Sequence, residues 1–150
     1  MKDEWGGIDT RIKGLVQALH AFGVATTGSC EGHSDYGSPA PWIKISHKKY
    51  KKKVITLLNF FYKKRAVSLA TRFVIEDGRV GFWLHNGGDD YQKWRSMVAH
   101  IVLSKKQKKE KRYVLNEQEK IKRAKHLHTY QKELKLFEHF IKKSFLYKKQ

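Results

Sequence analysis

Neither glycine nor proline occurs after Gly88. These two residues stop helices more readily than any others. The last 62 residues are therefore free to run as long helices, while 11 glycines and two prolines cut everything before them into short elements. The chain divides accordingly into a body over residues 1–104 and a helical extension over residues 105–150. Charge follows the same division. Residues 105–150 carry 16 basic and 5 acidic side chains, a net +11 out of +18 for the whole chain. A field of that sign attracts nucleic acid before it attracts most other partners. Lys105, Lys106, Lys108, Lys109, Lys111 and Arg112 form its densest run. They are candidate nucleic-acid contacts, although a run of this kind is more often a solvated helix face.

The extension also has an apolar side. Asn116 followed by Glu119 matches a capping box and predicts a helix start. Ile121, Ala124, Leu127, Tyr130, Leu134, Phe137, Ile141 and Phe145 then recur at helical spacing. Such a stripe needs cover, which is expected from the body or from a second copy, making a homodimer through the C-terminal helix. A membrane partner is not expected, because acidic residues interrupt the basic face and no stretch approaches the ~20 apolar residues of a membrane span. A single cysteine permits no internal disulfide and suits a reducing compartment. No apolar run follows Met1-Lys2-Asp3-Glu4, so no signal peptide is expected, and the expected location is cytoplasmic.

In the body, Asp9 is a candidate N-cap. Ile12, Leu15, Val16, Leu19 and Phe22 give a helical stripe that Gly23 ends. Val24 to Thr27 has strand character, and Trp42-Ile43-Lys44-Ile45 reads as a second strand. The order then repeats. Tyr50, Val54, Leu57, Leu58 and Phe61 form a helix stripe, and Val67 to Glu76 and Arg79 to His85 alternate around Asp77-Gly78, a two-residue hairpin signal. That loop pairs Glu76 with Arg79, Ile75 with Val80, Phe73 with Phe82 and Thr71 with Leu84. It sends Ile75, Val80, Phe73, Phe82 and Leu84 to the core. The opposite face receives Arg72, Trp83 and His85, with Arg72 against the Trp83 indole. That face is either solvated or a stacking platform for a base. Asp89 is expected to cap a third helix, whose stripe is Tyr91, Trp94, Val98 and Ile101. The predicted fold is α+β: two helix–hairpin units forming a mainly antiparallel sheet with helices packed on it, plus the basic helical extension.

The densest polar stretch is Thr26-Thr27-Gly28-Ser29-Cys30-Glu31-Gly32-His33. A strand entering a glycine-containing turn can aim successive N–H groups at one point and bind an anion. Glu31 is a candidate acceptor for ribose hydroxyls, and His33 is a candidate proton donor or acceptor. The plainer reading is a chain reversal with Cys30 as a small buried filler. Zinc would draw on Cys30 and His33, with His85, His47 or Glu31 beside them. Structural zinc usually takes four ligands with several cysteines, so no metal is expected. A Cys30–His33 nucleophilic pair lacks an identifiable orienting residue.

Thr26, Thr27, Ser29, Cys30 and Gly32 fit a run of the form Thr/Ser-Ser-Cys-Ser/Ala-Gly-Arg. The segment thereby resembles the signature of the tRNA wybutosine-synthesising protein three family. Ser29 to His33 is still more similar to the Ser-Cys-x-Gly-His run of small prokaryotic and phage proteins. The first family's characterised members are methyltransferases that use S-adenosylmethionine on a hypermodified guanosine in tRNA. The resemblance implies a duplicated α+β layout, RNA as partner, S-adenosylmethionine as cofactor, and a ligand pocket at Thr26, Thr27, Ser29, Cys30, Glu31, Gly32 and His33. Two positions depart from the pattern: Glu31 replaces a small residue and His33 stands in place of arginine. The leading expectation is an RNA-binding, tRNA-modifying protein. Its rivals are a non-catalytic nucleic-acid-binding accessory protein and a small-nucleotide binder.

Overall fold

The computed structural model describes residues 8–34, 38–103 and 116–149, the side chains of 98–103 and 145–149 excepted. The run Lys105, Lys106, Lys108, Lys109, Lys111 and Arg112 lies outside the described residues. So do the side chains of Val98, Ile101 and Phe145.

The element order is α1 (Thr10–Phe22), β1 (Gly28–Cys30), β2 (Trp42–Ile45), a 3-10 turn (Lys48–Tyr50), α2 (Lys51–Tyr62), β3 (Val74–Asp77), β4 (Phe82–His85), α3 (Gly88–Leu103) and α4 (Glu117–Lys149). The four strands form one antiparallel sheet in the order β1-β2-β4-β3. The fold is α+β, as predicted. The order helix, strand, strand occurs twice, but the two halves are not copies. Eleven residues (31–41) join β1 to β2, and four (78–81) join β3 to β4.

Register sorts the strand side chains cleanly. Ser29, Ile43, Leu84 and Ile75 lie in one cross-strand row, and Ile45 and Phe82 lie in the next row on the same face. This face is the core. Ile43, Ile45, Phe82 and Leu84 cluster there with Ile12, Leu15 and Leu19 of α1, with Val54 and Phe61 of α2, and with Leu134, Phe137 and Ile141 of α4. The α4 stripe is thus covered by the body. Phe137 stacks on Phe61 with ring centroids 4.9 Å apart, while Ile121, at the start of the stripe, stays exposed. Arg65, just beyond α2, grips Glu133 of α4 through two hydrogen bonds of 2.8 and 2.7 Å. That carboxylate is buried, and the paired guanidinium offsets the cost of burying it.

Helix ends follow the sequence in part. Gly23 ends α1 in the left-handed region at φ 98°. Asn116 and Glu119 form the expected cap in a variant of the box: the Glu119 N–H donates to Asn116 Oδ1 at 2.8 Å, while Glu119 Oε1 accepts from the Asn116 side-chain Nδ2 at 2.7 Å rather than from its backbone. Asp89 does not cap α3 but lies in its first turn, which begins at Gly88.

Three strand expectations are corrected. Val24 to Thr27 is not a strand, and β1 begins at Gly28. The Thr26 amide is drawn back to α1, donating to His20 Nε2 at 3.1 Å, a tertiary contact that overrides a weak local propensity. Residues 67–73 turn rather than extend, with the Thr71 and Arg72 amides both donating to Ser68 O at 3.0 Å. The hairpin closes on a four-residue loop, not on Asp77-Gly78 alone. Asp77 pairs with Phe82, and the Gly78 N–H donates to Gly81 O at 2.8 Å. Gly81 presses against the backbone of Ile45 and Ser46 and leaves no room for a Cβ, which fixes the turn there. The register is displaced by an even number of residues, so Phe73, Phe82 and Leu84 still face the core, while Val80 moves to the loop tip at 70% exposure.

Candidate functional site

The second face of the sheet is built from the alternate positions. Cys30, Trp42, His85 and Val74 form one cross-strand row, and Gly28, Lys44, Trp83 and Glu76 form the next. Among the described residues, α3 is the helix that crosses it. Tyr91 stacks on His85 with centroids 3.8 Å apart and an interplanar angle of 18°. The Arg95 guanidinium sits 4.3 Å from the Trp83 ring centroid, and Lys44 Nζ lies 5.2 Å from it. Gln92 Nε2 donates to Glu76 Oε1 at 3.2 Å. Trp42, Lys44 and Trp83 are half-buried. An indole with a cation at each of two approaches is an electrostatically favourable arrangement that leaves two positive groups at the surface.

The face expected from sequence changes membership. Arg72 does not reach Trp83; its guanidinium lies 4.6 Å from the Tyr62 ring centroid, because residues 67–73 turn away from the sheet. His85 is on the expected face but is buried. Burial lowers its pKa to about 4, against the pull of Glu76, so the ring is neutral at physiological pH. Lys44, Arg95 and Trp42 take their place. Lys44 and Trp42 alternate with Ile43 and Ile45 in β2, a period-two signal that was readable. Arg95 was not readable, because nothing local says which sheet face α3 covers.

Cys30 ends β1 at the margin of this face, and the turn beyond it folds back tightly. Gly32 has φ 88°, and a Cβ there would meet Leu127 Cδ1 at 2.5 Å and the Ala40 carbonyl carbon at 3.0 Å. Only glycine suits that conformation and that space. The Gly32 N–H points back at Cys30 Sγ, 3.4 Å away, and the His33 N–H donates to Ser38 O at 2.7 Å. Burial and the Asp9 and Glu31 carboxylates push the Cys30 thiol up, against the Gly32 N–H, which favours the thiolate. Cys30 pairs with Trp42 in the row that holds His85, which ties the turn to the sheet face.

Two carboxylates at the turn exchange helix-capping roles. Asp9 occupies the N-cap position of α1 but makes no side-chain cap bond. Its Oδ2 accepts instead from the Glu31 N–H at 3.0 Å. Glu31 Oε1 in turn accepts from the Arg11 N–H at 3.2 Å, one of the donors a helix start leaves unsatisfied. Gln131 of α4 donates to Glu31 O at 3.0 Å. The two threonine hydroxyls of the stretch are also engaged, and its serine faces the core. Thr26 Oγ1 lies 3.0 Å from His20 Nε2, Thr27 Oγ1 lies 2.6 Å from Ser46 Oγ, and Ser29 shares the core-facing row with Ile43. Of the seven residues expected at a pocket, Cys30 and His33 come together, with Asp9 as an unforeseen third. The distance in sequence from Asp9 to Cys30 hid that grouping.

Comparison with protein families, curated proteins and solved structures finds no match to this chain.

Farther along α3, Lys93 and Trp94 border a cleft of about 170 Å³ shared with Lys122, Arg123 and His126 of α4. Asp90 lies at its edge and accepts from Tyr130 Oη at 2.5 Å, with His126 Nδ1 2.8 Å away. Burial pushes the Asp90 carboxyl up, but these hydrogen bonds outweigh it and hold it below its ordinary value. Among the described residues, no helix is long and apolar enough to cross a membrane.

Proposed function

We propose that this protein binds RNA, with the sheet face of Trp42, Lys44 and Trp83 and the crossing residue Arg95 as its base-stacking and phosphate-contacting surface. The observation that carries the reading is the Trp83 indole flanked by Lys44 and Arg95 on a chain of net charge +18. Aromatic side chains interleaved with cations suit single-stranded nucleic acid, because every base has a face to stack and every nucleotide a phosphate to neutralise. The basic run Lys105–Arg112 adds sequence-independent attraction. A tRNA or another RNA with unpaired loops meets this requirement better than a continuous duplex.

Methyl transfer from S-adenosylmethionine, which the resemblance implies, finds less to support it. The Thr26 and Thr27 hydroxyls and the Glu31 carboxylate already bond within the chain. The turn therefore does not present those groups to a nucleoside or an amino-acid end. The same observation favours a non-catalytic accessory protein as the second reading.

The test is fluorescence titration of the full chain with single-stranded and duplex RNA across a range of salt. Wild type is expected to favour the single strand. Trp83→Ala should weaken that binding by about 1–3 kcal/mol, the worth of one stacked base. Lys44→Ala and Arg95→Ala should each flatten the salt slope by about 0.7. Affinity and slope unchanged in all three variants would remove the sheet face from the interface and overturn the reading. Thermal shift with S-adenosylmethionine separates the two versions: a shift lost in Cys30→Ser supports the enzyme, and no shift supports the accessory protein.

A further inference from the structure

We propose that Asp9, Cys30 and His33 form a binding site for one divalent transition-metal ion of the zinc class, independently of whether the protein binds RNA. The ligand atoms of the three side chains all lie within 4.8 Å of one another, and His33 Nε2 is 4.0 Å from Asp9 Oδ2. Ligand atoms on one tetrahedral zinc ion are about 3.6 Å apart, from bonds of about 2.0–2.3 Å. The cluster thus lies roughly 1 Å from coordination separations, a distance of the order that side-chain adjustment covers.

Several features of the turn are those a chelating loop requires. Cys30 and His33 are separated by two residues, the spacing at which a short loop can bring both of its ends to one ion. The left-handed Gly32, φ 88°, bends that loop, and its N–H is aimed at Cys30 Sγ. A donor placed there stabilises negative charge on sulfur, which a neutral thiol hardly needs. Asp9 supplies the independent feature. An aspartate at an N-cap normally bonds its own helix, yet this one makes no cap bond and faces the Cys30–His33 turn. Glu31 does the capping in its place, and the Glu31 N–H, donating to Asp9 Oδ2 at 3.0 Å, holds the carboxylate against the turn beside His33. Gln131 and Leu127 of α4 press on the turn from outside, so the core of the protein supports the loop.

The donor set selects the ion. One sulfur, one imidazole and one carboxylate suit zinc and its neighbours, whereas magnesium and calcium take oxygen. Three protein ligands leave a fourth position open to water or to an incoming oxygen. Binding converts the Cys30 thiol to a thiolate: the sulfur keeps the S–H electron pair for the metal, and the proton passes to solvent. No oxidant or reductant takes part.

The experiment is titration of the reduced full chain with Co²⁺ and then with Zn²⁺. The expected result is one-to-one binding with a sulfur-to-cobalt charge-transfer band, displacement of that band by Zn²⁺, and release of one proton per ion near neutral pH. The other seven histidines of the chain can bind cobalt without producing the band. Cys30→Ser should abolish it, and Asp9→Asn and His33→Ala should each weaken binding at least about tenfold. Wild type alone gives a second readout that needs no variant to fold: stoichiometric Zn²⁺ should slow alkylation of Cys30, and Mg²⁺ should not. Absence of the band at saturation, or a Cys30 that Zn²⁺ does not protect, would overturn the proposal. A band of unchanged affinity in both Asp9→Asn and His33→Ala would also overturn it, by showing a cysteine acting without its two neighbours.

Discussion

The two faces of the same four strands are built to opposite rules. On one, Ile43, Ile45, Phe82 and Leu84 have no exposure at all, and α1, α2 and α4 close over them. On the other, Trp42, Lys44 and Trp83 keep partial exposure, and α3 crosses with ring stacks and cations in place of aliphatic packing. The first face satisfies its needs by excluding water. The second holds buried polar groups: among the described residues, both ring nitrogens of His85 and Glu76 Oε2 lack a well-formed hydrogen bond, although Nε2 and Oε2 lie 3.4 Å apart. Buried polar atoms without partners cost free energy. The contrast places the main core on the first face and leaves the second as the face on which the proposed recognition is to be tested.

The largest test of that contrast is truncation on each face. Phe137→Ala removes a fully buried ring that packs on Phe61 and Phe73, and should cost about 3–5 kcal/mol by urea denaturation. For a domain of ordinary stability that is a large fraction of the total. Trp83→Ala, on the half-open face, should cost less than half as much while losing RNA affinity. Equal losses of stability would mean that both faces are core, and the comparison would fail. Removal of the whole of α4 belongs with the first outcome, because Leu134, Phe137 and Ile141 sit inside the main cluster; the expected product is an unfolded body.

The next effect is smaller and depends on pH. Burial is the main cause that lowers the His85 pKa to about 4, from about 6.5 in an unfolded chain. The unfolded state therefore binds the proton first. His85 contributes stability that is fully present above about pH 6.5 and is lost as pH falls from there towards 4, at no more than about 1.4 kcal/mol per pH unit. Glu76, which raises the pKa, and Arg95, which lowers it, are the charged neighbours. His85→Phe keeps a ring against Tyr91 and removes the titration. The difference in stability between wild type and His85→Phe should vary with pH across this window and level off above it. A difference that is flat with pH would place the imidazole in water, and the second face would be more open than its geometry implies.

What the sequence disclosed follows the range of the interactions involved. The α1 stripe and its Gly23 stop, the Trp42–Ile45 strand and the Asn116–Glu119 cap rest on contacts within a few residues, and all were legible. The strand placed at Val24–Thr27 failed because His20 holds Thr26 from the preceding helix. The two-residue hairpin failed because Gly81 must pass close to the β2 backbone, a demand set by a strand more than thirty residues earlier. At the turn, the backbone demand on Gly32, met at φ 88°, was legible from the concentration of glycines and polar groups. The parts played by Asp9, Gln131 and Arg95 were not, since each reaches the site from an element whose packing no local pattern encodes.

Glu31 gives the smallest effect and the sharpest division between the faces. Read from sequence, it is an exposed acceptor awaiting a ligand, and its removal should leave stability almost unchanged. In the structure its carboxylate takes the Arg11 N–H at 3.2 Å and lies 3.8 Å from the Arg11 guanidinium, whose side chain is 64% exposed. An ion pair that open to solvent adds little, so the cap bond should dominate. Glu31→Ala is then expected to cost about 1 kcal/mol, the usual worth of a lost N-terminal cap. Glu31→Gln keeps an acceptor oxygen and should cost only a few tenths of that scale. RNA affinity should be nearly the same in both, because Glu31 serves α1 and the first face while its neighbour Cys30 faces the second. Thermal melting of the two variants beside wild type, with RNA titration of each, measures both quantities. Should Glu31→Ala melt like wild type and lose RNA binding, the carboxylate belongs to recognition and the boundary between the faces runs on the other side of it.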